Sequence, residues 1–176
     1  MTALVRLYTP ADWFGGLIAW RLESSYCHAT IEIDGTIYSA TFPQVLALPP
    51  GDPDVAQPPR GGVSYEITLS PDEKARALAY CQSMVGTSYD VLAIAGWALR
   101  IESMQRPGHA YCFEYVADAL AAAGVFPTSK RLITGEQLLL DLYRARRIDT
   151  PPRGTTMLAL LQKRPVTMTA PRMTLK

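Results

Sequence analysis

Tyr26-Cys27-His28-Ala29-Thr30-Ile31-Glu32-Ile33-Asp34-Gly35-Thr36-Ile37-Tyr38-Ser39-Ala40 is the stretch whose reading decides the fold. From His28 onward the pattern has period two. Ala29, Ile31 and Ile33 fall on one face and Thr30, Glu32 and Asp34 on the other, as on a half-buried strand. Asp34-Gly35 is a hairpin-turn dipeptide, and Thr36 to Thr41 returns as a second strand. Working outward, Val63 to Leu69 alternates again and makes a third strand. The five prolines and three glycines between Leu48 and Gly62 mark an irregular surface loop before it.

Helical signals surround these strands. Leu17 to Leu22 is a short amphipathic stretch ahead of the hairpin. Ser70-Pro71-Asp72-Glu73 combines an N-cap serine, a proline at the first helical position and a glutamate three after the cap, so a helix runs from there to about Val85. Tyr89 to Glu102 is apolar and reads as helix, broken by Pro107-Gly108. Cys112 to Ala123 is alanine-rich and closed by Gly124, and Thr134 to Arg146 sets Leu138, Leu139, Leu142 and Tyr143 on one side. From Thr150 the periodicity fades, and the reading is an extended arm around Met157 to Gln162 followed by a loose tail. Helix, then strands, then helices predicts an α+β domain over residues 1–150 with an arm over 151–176.

Composition narrows the function classes. The chain has 176 residues, 48% of them hydrophobic, which suits one domain with a substantial core and argues against wholesale disorder. Seventeen Lys and Arg against sixteen Asp and Glu leave a formal charge of +1, without the electrostatic footprint of a general nucleic-acid binder. No apolar run approaches the ~20 residues of a membrane span. The start, Met1-Thr2-Ala3-Leu4-Val5-Arg6, lacks the basic lead and long apolar stretch of a signal peptide. Cys27, Cys81 and Cys112 are too few for a disulfide framework. The default expectation is a cytoplasmic chain with reduced thiols; export by a signal-independent route is compatible with it.

Two histidines, His28 and His109, limit any imidazole chemistry. Cys112 opens a helix after the loop Arg106-Pro107-Gly108-His109-Ala110-Tyr111. A thiol there meets the positive end of the helix dipole and unpaired N–H groups, both of which favour the nucleophilic thiolate. An imidazole beside it would complete a Cys–His pair for acyl transfer. The plain alternative is a small buried hydrophobe at Cys112 and a strand-ending His28. A zinc site from these cysteines and histidines lacks any Cys-x-x-Cys pair, so no metal or cofactor is expected. His109 reads as a loop residue bordering the cleft, and with Tyr111 it is the candidate substrate contact. Cys27 should face away from His28 by strand parity. Tyr89 and Asp90 read as structural, Trp97, Leu99 and Ile101 as core, and Arg144, Arg146 and Arg147 as a solvated helix end. Glu114 belongs to the first turn of the cysteine helix and suits its N-terminal dipole.

The hairpin quoted above resembles the Ser-His-Val strand and hairpin of the circularly permuted NlpC-like cysteine peptidases. Gly86-Thr87-Ser88-Tyr89-Asp90 is similar to that group's Gly-x-x-Tyr-Asp turn. Tyr111-Cys112-Phe113-Glu114-Tyr115-Val116 resembles its aromatic-Cys-Ser-Glu-aromatic-Val helix start, and Thr134-Gly135-Glu136-Gln137-Leu138 its Thr-Pro-x-x-Leu opening. The histidine strand comes before the cysteine helix, which is the permuted order. The resemblance spans roughly Leu17 to Leu142.

It implies a papain-like fold, with a small antiparallel sheet packed on the cysteine helix. Cys112 would be the nucleophile and His28 the general base, held by a third polar group. Family members cleave peptide bonds in peptidoglycan, and relatives act on lipid esters or amides. Two positions depart from the pattern. Phe113 stands where serine is frequent, and Ser39 where glutamate is frequent, so the orienting group is Ser39 first with Thr41 behind it. Glu32 shares the parity of His28 but lies ~13 Å along an extended strand. The expected activity is that of a cysteine hydrolase cleaving an amide in cell-wall peptide through a thioester. The alternatives are an inert member of the fold serving as a binding or structural protein, for example in a virion, and a lipid-directed acyl hydrolase or transferase. A phage or toxin-delivery setting would suit such a chain.

Overall fold

The computed structural model describes residues 1–50, 61–90, 108–127 and 133–149. Its centre is an antiparallel five-stranded sheet of β1 (Thr2–Tyr8), β2 (His28–Ile33), β3 (Thr36–Ala40), β4 (Val45–Leu48) and β5 (Gly62–Thr68), in the order β4-β3-β2-β1-β5. Four helices accompany it among the described residues: α1 (Trp13–Arg21), α2 (Pro71–Met84), α3 (Cys112–Ala123) and α4 (Gly135–Arg144). The architecture is α+β, as the order of sequence signals predicts.

The β2–β3 hairpin forms where Asp34-Gly35 places it. Both turn residues take the left-handed backbone, with φ of 50° and 72°, that a tight two-residue connection requires. Ile31 then faces Tyr38 and Ile33 faces Thr36 across the ladder. The strand over residues 2–8 is a correction to the sequence reading, which found no signal peptide in this segment and assigned it no strand. Ala3, Val5 and Leu7 alternate with Leu4 and Arg6 there, and β1 pairs with β2 on one side and β5 on the other. Without it the sheet would fall into two pieces. Edge strand β4 is likewise unannounced; only four residues long, it pairs Val45 with Ala40.

One face of the sheet is apolar and closes the core. Val5, Leu7, Ala29, Ile31, Tyr38 and Ala40 join Ala77 and Cys81 of α2, Phe113, Tyr115, Val116 and Leu120 of α3, and Leu138, Leu139 and Leu142 of α4. Each large side chain so buried contributes about 1.5–3 kcal/mol. The other face is polar and internally paired. Arg6 meets Glu32 at 2.7 Å, and the Tyr8 hydroxyl lies 3.1 Å from Thr30 Oγ1.

Caps set the helix limits. Ser70 and Glu73 make both arms of a capping box on α2, and Gly124 ends α3 with φ of 85°. The first helix begins earlier than expected, at Trp13, because Asp12 caps it by accepting from the Gly15 N–H. Arg147 is not a solvated helix end: it donates to the Thr68 carbonyl and pairs with Glu73 at 2.5 Å, tying the end of α4 to β5 and α2. The expected helix beyond Asp90 with its Trp97, Leu99 and Ile101 stripe, most of the proline-rich loop, and the 151–176 arm lie outside the described residues.

Candidate functional site

His28 opens β2 beside the end of β1, opposite Tyr8. The Ser25 N–H donates to Glu136 Oε1 at 2.5 Å, pinning the approach to the strand onto the start of α4. Gly135 makes this possible. A Cβ on it would lie 2.8 Å from the Tyr26 ring and 2.9 Å from Leu7 Cδ2, so only glycine lets the helix start come this close. The imidazole is half-buried, with its centroid 5.7 Å from that of Tyr8. Its Nε2 lies 3.0 Å from Ser39 Oγ on the neighbouring strand. Ser39 itself is buried, and Thr41 lies one residue past the end of β3. Of the two orienting candidates, Ser39 is thus the one at the ring.

Cys112 is the first residue of α3, directly after N-cap Tyr111. Tyr111 is fully buried; its hydroxyl donates to the Ile133 carbonyl at 2.9 Å and also accepts from the Ile133 N–H. This clamp joins the start of α3 to the lead-in of α4, so Tyr111 acts as a structural anchor instead of presenting a free ring to substrate. No side chain of the N-cap closes the helix, but the Glu114 carboxylate accepts the Tyr111 N–H, half of a capping box.

The cysteine sulfur rests against the backbone on both sides of His28. It lies 4.0 Å from the Cys27 carbonyl oxygen and accepts from the Ala29 N–H, and the Phe113 N–H and the Tyr89 phenol also donate to it. Tyr89 arrives there because Gly86 to Asp90 is stitched into the fold at both ends. The Tyr89 N–H donates to the Pro43 carbonyl at 2.9 Å, Ser88 bridges Gln44, and Tyr89 bridges Ala110, two residues before the cysteine. Sequence reasoning treated Tyr89 as packing alone and missed this contact. The Gly-x-x-Tyr-Asp pattern was the available signal; the bridge that aims the ring spans 21 residues and leaves no trace in local periodicity.

Burial decides the state of the thiol. All three donors favour thiolate, yet Cys112 is only 3% exposed and its removal from water pushes the thiol up to about 11. This corrects the expectation that a helix N-terminus would supply a resting thiolate: desolvation outweighs the dipole and three hydrogen bonds. Burial, then the carboxylates of Asp118 and Asp90, likewise raise Glu114 to about 7, so it adds less negative charge beside the thiol than a free carboxylate would. Phe113 is fully buried and belongs to the core.

The other candidates sit apart. Cys27 is buried, its thiol directed to the Tyr8 carbonyl at 3.5 Å. His109 is half-buried in the loop before Ala110. Among the described residues no group of three His, Cys, Asp or Glu side chains is arranged to hold a metal ion, and no helix is long and apolar enough to cross a membrane. A surface groove of about 490 Å³, lined by Leu4, Glu32, Asp34, Glu66 and Lys74, lies at the far end of β2 from His28. Two of its carboxylates are paired, Glu32 with Arg6 and Asp34 with Lys74, and it has no part in the Cys–His arrangement. No protein-family model, curated protein or solved structure matches the chain.

Proposed function

We propose that the protein is a cysteine hydrolase of permuted NlpC-like, papain-like architecture that cleaves an amide bond in cell-wall peptide. One observation carries the reading: the Cys112 sulfur lodges against the backbone flanking His28, whose imidazole is held by Ser39 at 3.0 Å. Nucleophile, base and orienting group thus come from α3, β2 and β3, the division of labour of a catalytic triad.

The neutral resting thiol shapes the mechanism. Sulfur attacks the amide carbonyl carbon as its proton passes to His28, which acts as general base during the attack instead of holding a preformed ion pair. The carbonyl oxygen gains the negative charge, facing N–H groups of the first turn of α3 and the Tyr89 hydroxyl. As the C–N bond breaks, His28 returns the proton to the leaving amine. Water then attacks the thioester with His28 again taking a proton, releasing a carboxylate and the free thiol. Ser39 keeps the ring oriented throughout. The experiment is a digest of purified peptidoglycan read by mass spectrometry, with Cys112→Ala as control. New amine and carboxyl termini that vanish in the variant are expected; an unchanged muropeptide profile with native protein would overturn the substrate assignment.

The burial of Cys112, which leaves little of its sulfur open to a substrate, supports a second reading, an inert member of the fold that binds without cleaving. It predicts that no acyl donor modifies the thiol of the folded chain.

A further inference from the structure

Tyr8 lies directly across the β1–β2 ladder from His28, and its ring centroid is 5.7 Å from that of the imidazole with the planes 31° apart. That separation and tilt belong to an offset aromatic pair, in which each ring limits the swing of the other. Ser39 fixes a single atom of the imidazole, Nε2. One hydrogen bond leaves the plane of a ring free to turn about it, and the Tyr8 ring supplies the second constraint.

Tyr8 is itself held at backbone and hydroxyl. The hydroxyl lies 3.1 Å from Oγ1 of Thr30, which is fully buried and sits two residues beyond His28, on the same face of β2. The Tyr8 carbonyl accepts the Cys27 N–H at 2.9 Å. On the other side β5 comes so close that a Cβ on Gly62 would lie 2.1 Å from the Leu7 carbonyl oxygen and 3.1 Å from the Tyr8 Cα. The next residue, Thr9, donates its N–H to the Gly61 carbonyl at 2.9 Å. A core position needs only an apolar group of the right volume. Here a tyrosine is anchored at both ends with its ring beside His28.

Charge gives that ring a second use. Taking the Cys112 proton turns the imidazole into a cation, and Ser39, being neutral, orients the cation without offsetting its charge. An aromatic ring within about 6 Å of a cation attracts it. The attraction is stronger for imidazolium than for imidazole, so it favours the proton transfer over the resting state.

We infer that Tyr8 is a positioning residue for His28: pinned through Thr30, its ring holds the plane of the imidazole and lies beside the cation formed when His28 takes the thiol proton. The role rests on the hydrolase reading, and the experiment separates the two.

The experiment follows acylation of Cys112 by p-nitrophenyl acetate in the full chain, read as intact mass and mapped by peptide mass spectrometry. Wild type, Tyr8→Phe and Tyr8→Leu are compared, with circular dichroism confirming each fold. Tyr8→Phe keeps the ring and should stay within about twofold of wild type, whereas Tyr8→Leu should be slower on the order of tenfold. Tyr8→Met takes the place of Tyr8→Leu if that variant does not fold. Alkylation of Cys112 by iodoacetamide at pH 10 is the control. Hydroxide, not His28, removes the thiol proton there, so all the variants should match wild type. A packing defect at the start of α3 would instead slow both reactions together. A Tyr8→Leu chain that acylates as fast as wild type, a Tyr8→Phe chain as slow as Tyr8→Leu, or parallel losses in acylation and alkylation would each overturn the role of Tyr8. A native chain that is alkylated but never acylated would overturn the hydrolase reading, and the role of Tyr8 with it.

Discussion

Alkylation of Cys112 distinguishes a thiol governed by burial from one governed by the helix dipole. The ordinary value of 9.0 is pushed up to about 11 in the folded chain. At pH 7.5 a thiol at 9.0 is ionised to about 3%, and one at 11 to roughly 0.03%, so thiolate chemistry is about a hundredfold slower in the native protein. Exclusion of the reagent from a side chain only 3% exposed slows it further. The rate should therefore climb nearly tenfold per pH unit from pH 7 to 10 without levelling off. The assay uses Cys27→Ala/Cys81→Ala, iodoacetamide and intact mass, with Cys112→Ala as the blank and circular dichroism confirming the fold at each pH. A rate that saturates below about pH 8, or that exceeds that of a free thiol, would refute the argument that desolvation prevails and restore the thiolate–imidazolium pair.

Other outcomes follow from the same geometry. His28→Ala should leave the fold intact and abolish most turnover of any substrate found. Ser39→Ala should cost about 1 kcal/mol in kcat/KM, one neutral hydrogen bond; equal losses in the two variants would mean that Ser39 does more than orient. Gly135→Ala sets a Cβ 2.8 Å from the Tyr26 ring, and urea unfolding should show it less stable by about 1–3 kcal/mol. Glu114, raised from 4.5 to about 7 chiefly by burial, withholds stability as pH rises, because the unfolded chain ionises first. The penalty is absent below about pH 4.5 and complete above 7, so Glu114→Gln should be more stabilising at pH 8 than at pH 4.5, by roughly 3 kcal/mol. Equal changes at the two pH values would remove the carboxylate from the account.

Local signals carried much of the fold. The alternation from His28, the Asp34-Gly35 turn, the Ser70 capping box and the Gly124 stop are encoded in adjacent residues, and each appears where its chemistry puts it. Strand β1 was legible in the alternation of Ala3, Val5 and Leu7, but the segment was weighed only against a signal peptide and its period was not read. Edge strand β4 is too short to show a period. The site divides in the same way. His28, Ser39 and Cys112 could be named from the sequence because each stands in a local pattern. The surroundings that set their properties could not. The Tyr89 contact on the sulfur depends on a bridge to Ala110, the Tyr111 clamp on Ile133, and the thiol's state on its burial at the start of α3. All three are sums over the folded chain, and no window of sequence contains them.

The central claim, that Cys112 and His28 act together as nucleophile and base, is tested most directly with a small ester that needs no specific binding site. The chain is mixed with p-nitrophenyl acetate, quenched in acid and weighed intact, and the modified residue is mapped by peptide mass spectrometry. The account predicts one acetyl group held as a thioester on Cys112, absent in Cys112→Ala and His28→Ala and forming more slowly in Ser39→Ala. A folded native chain that stays unmodified, or one whose Cys112 is acylated equally well without His28, would contradict it.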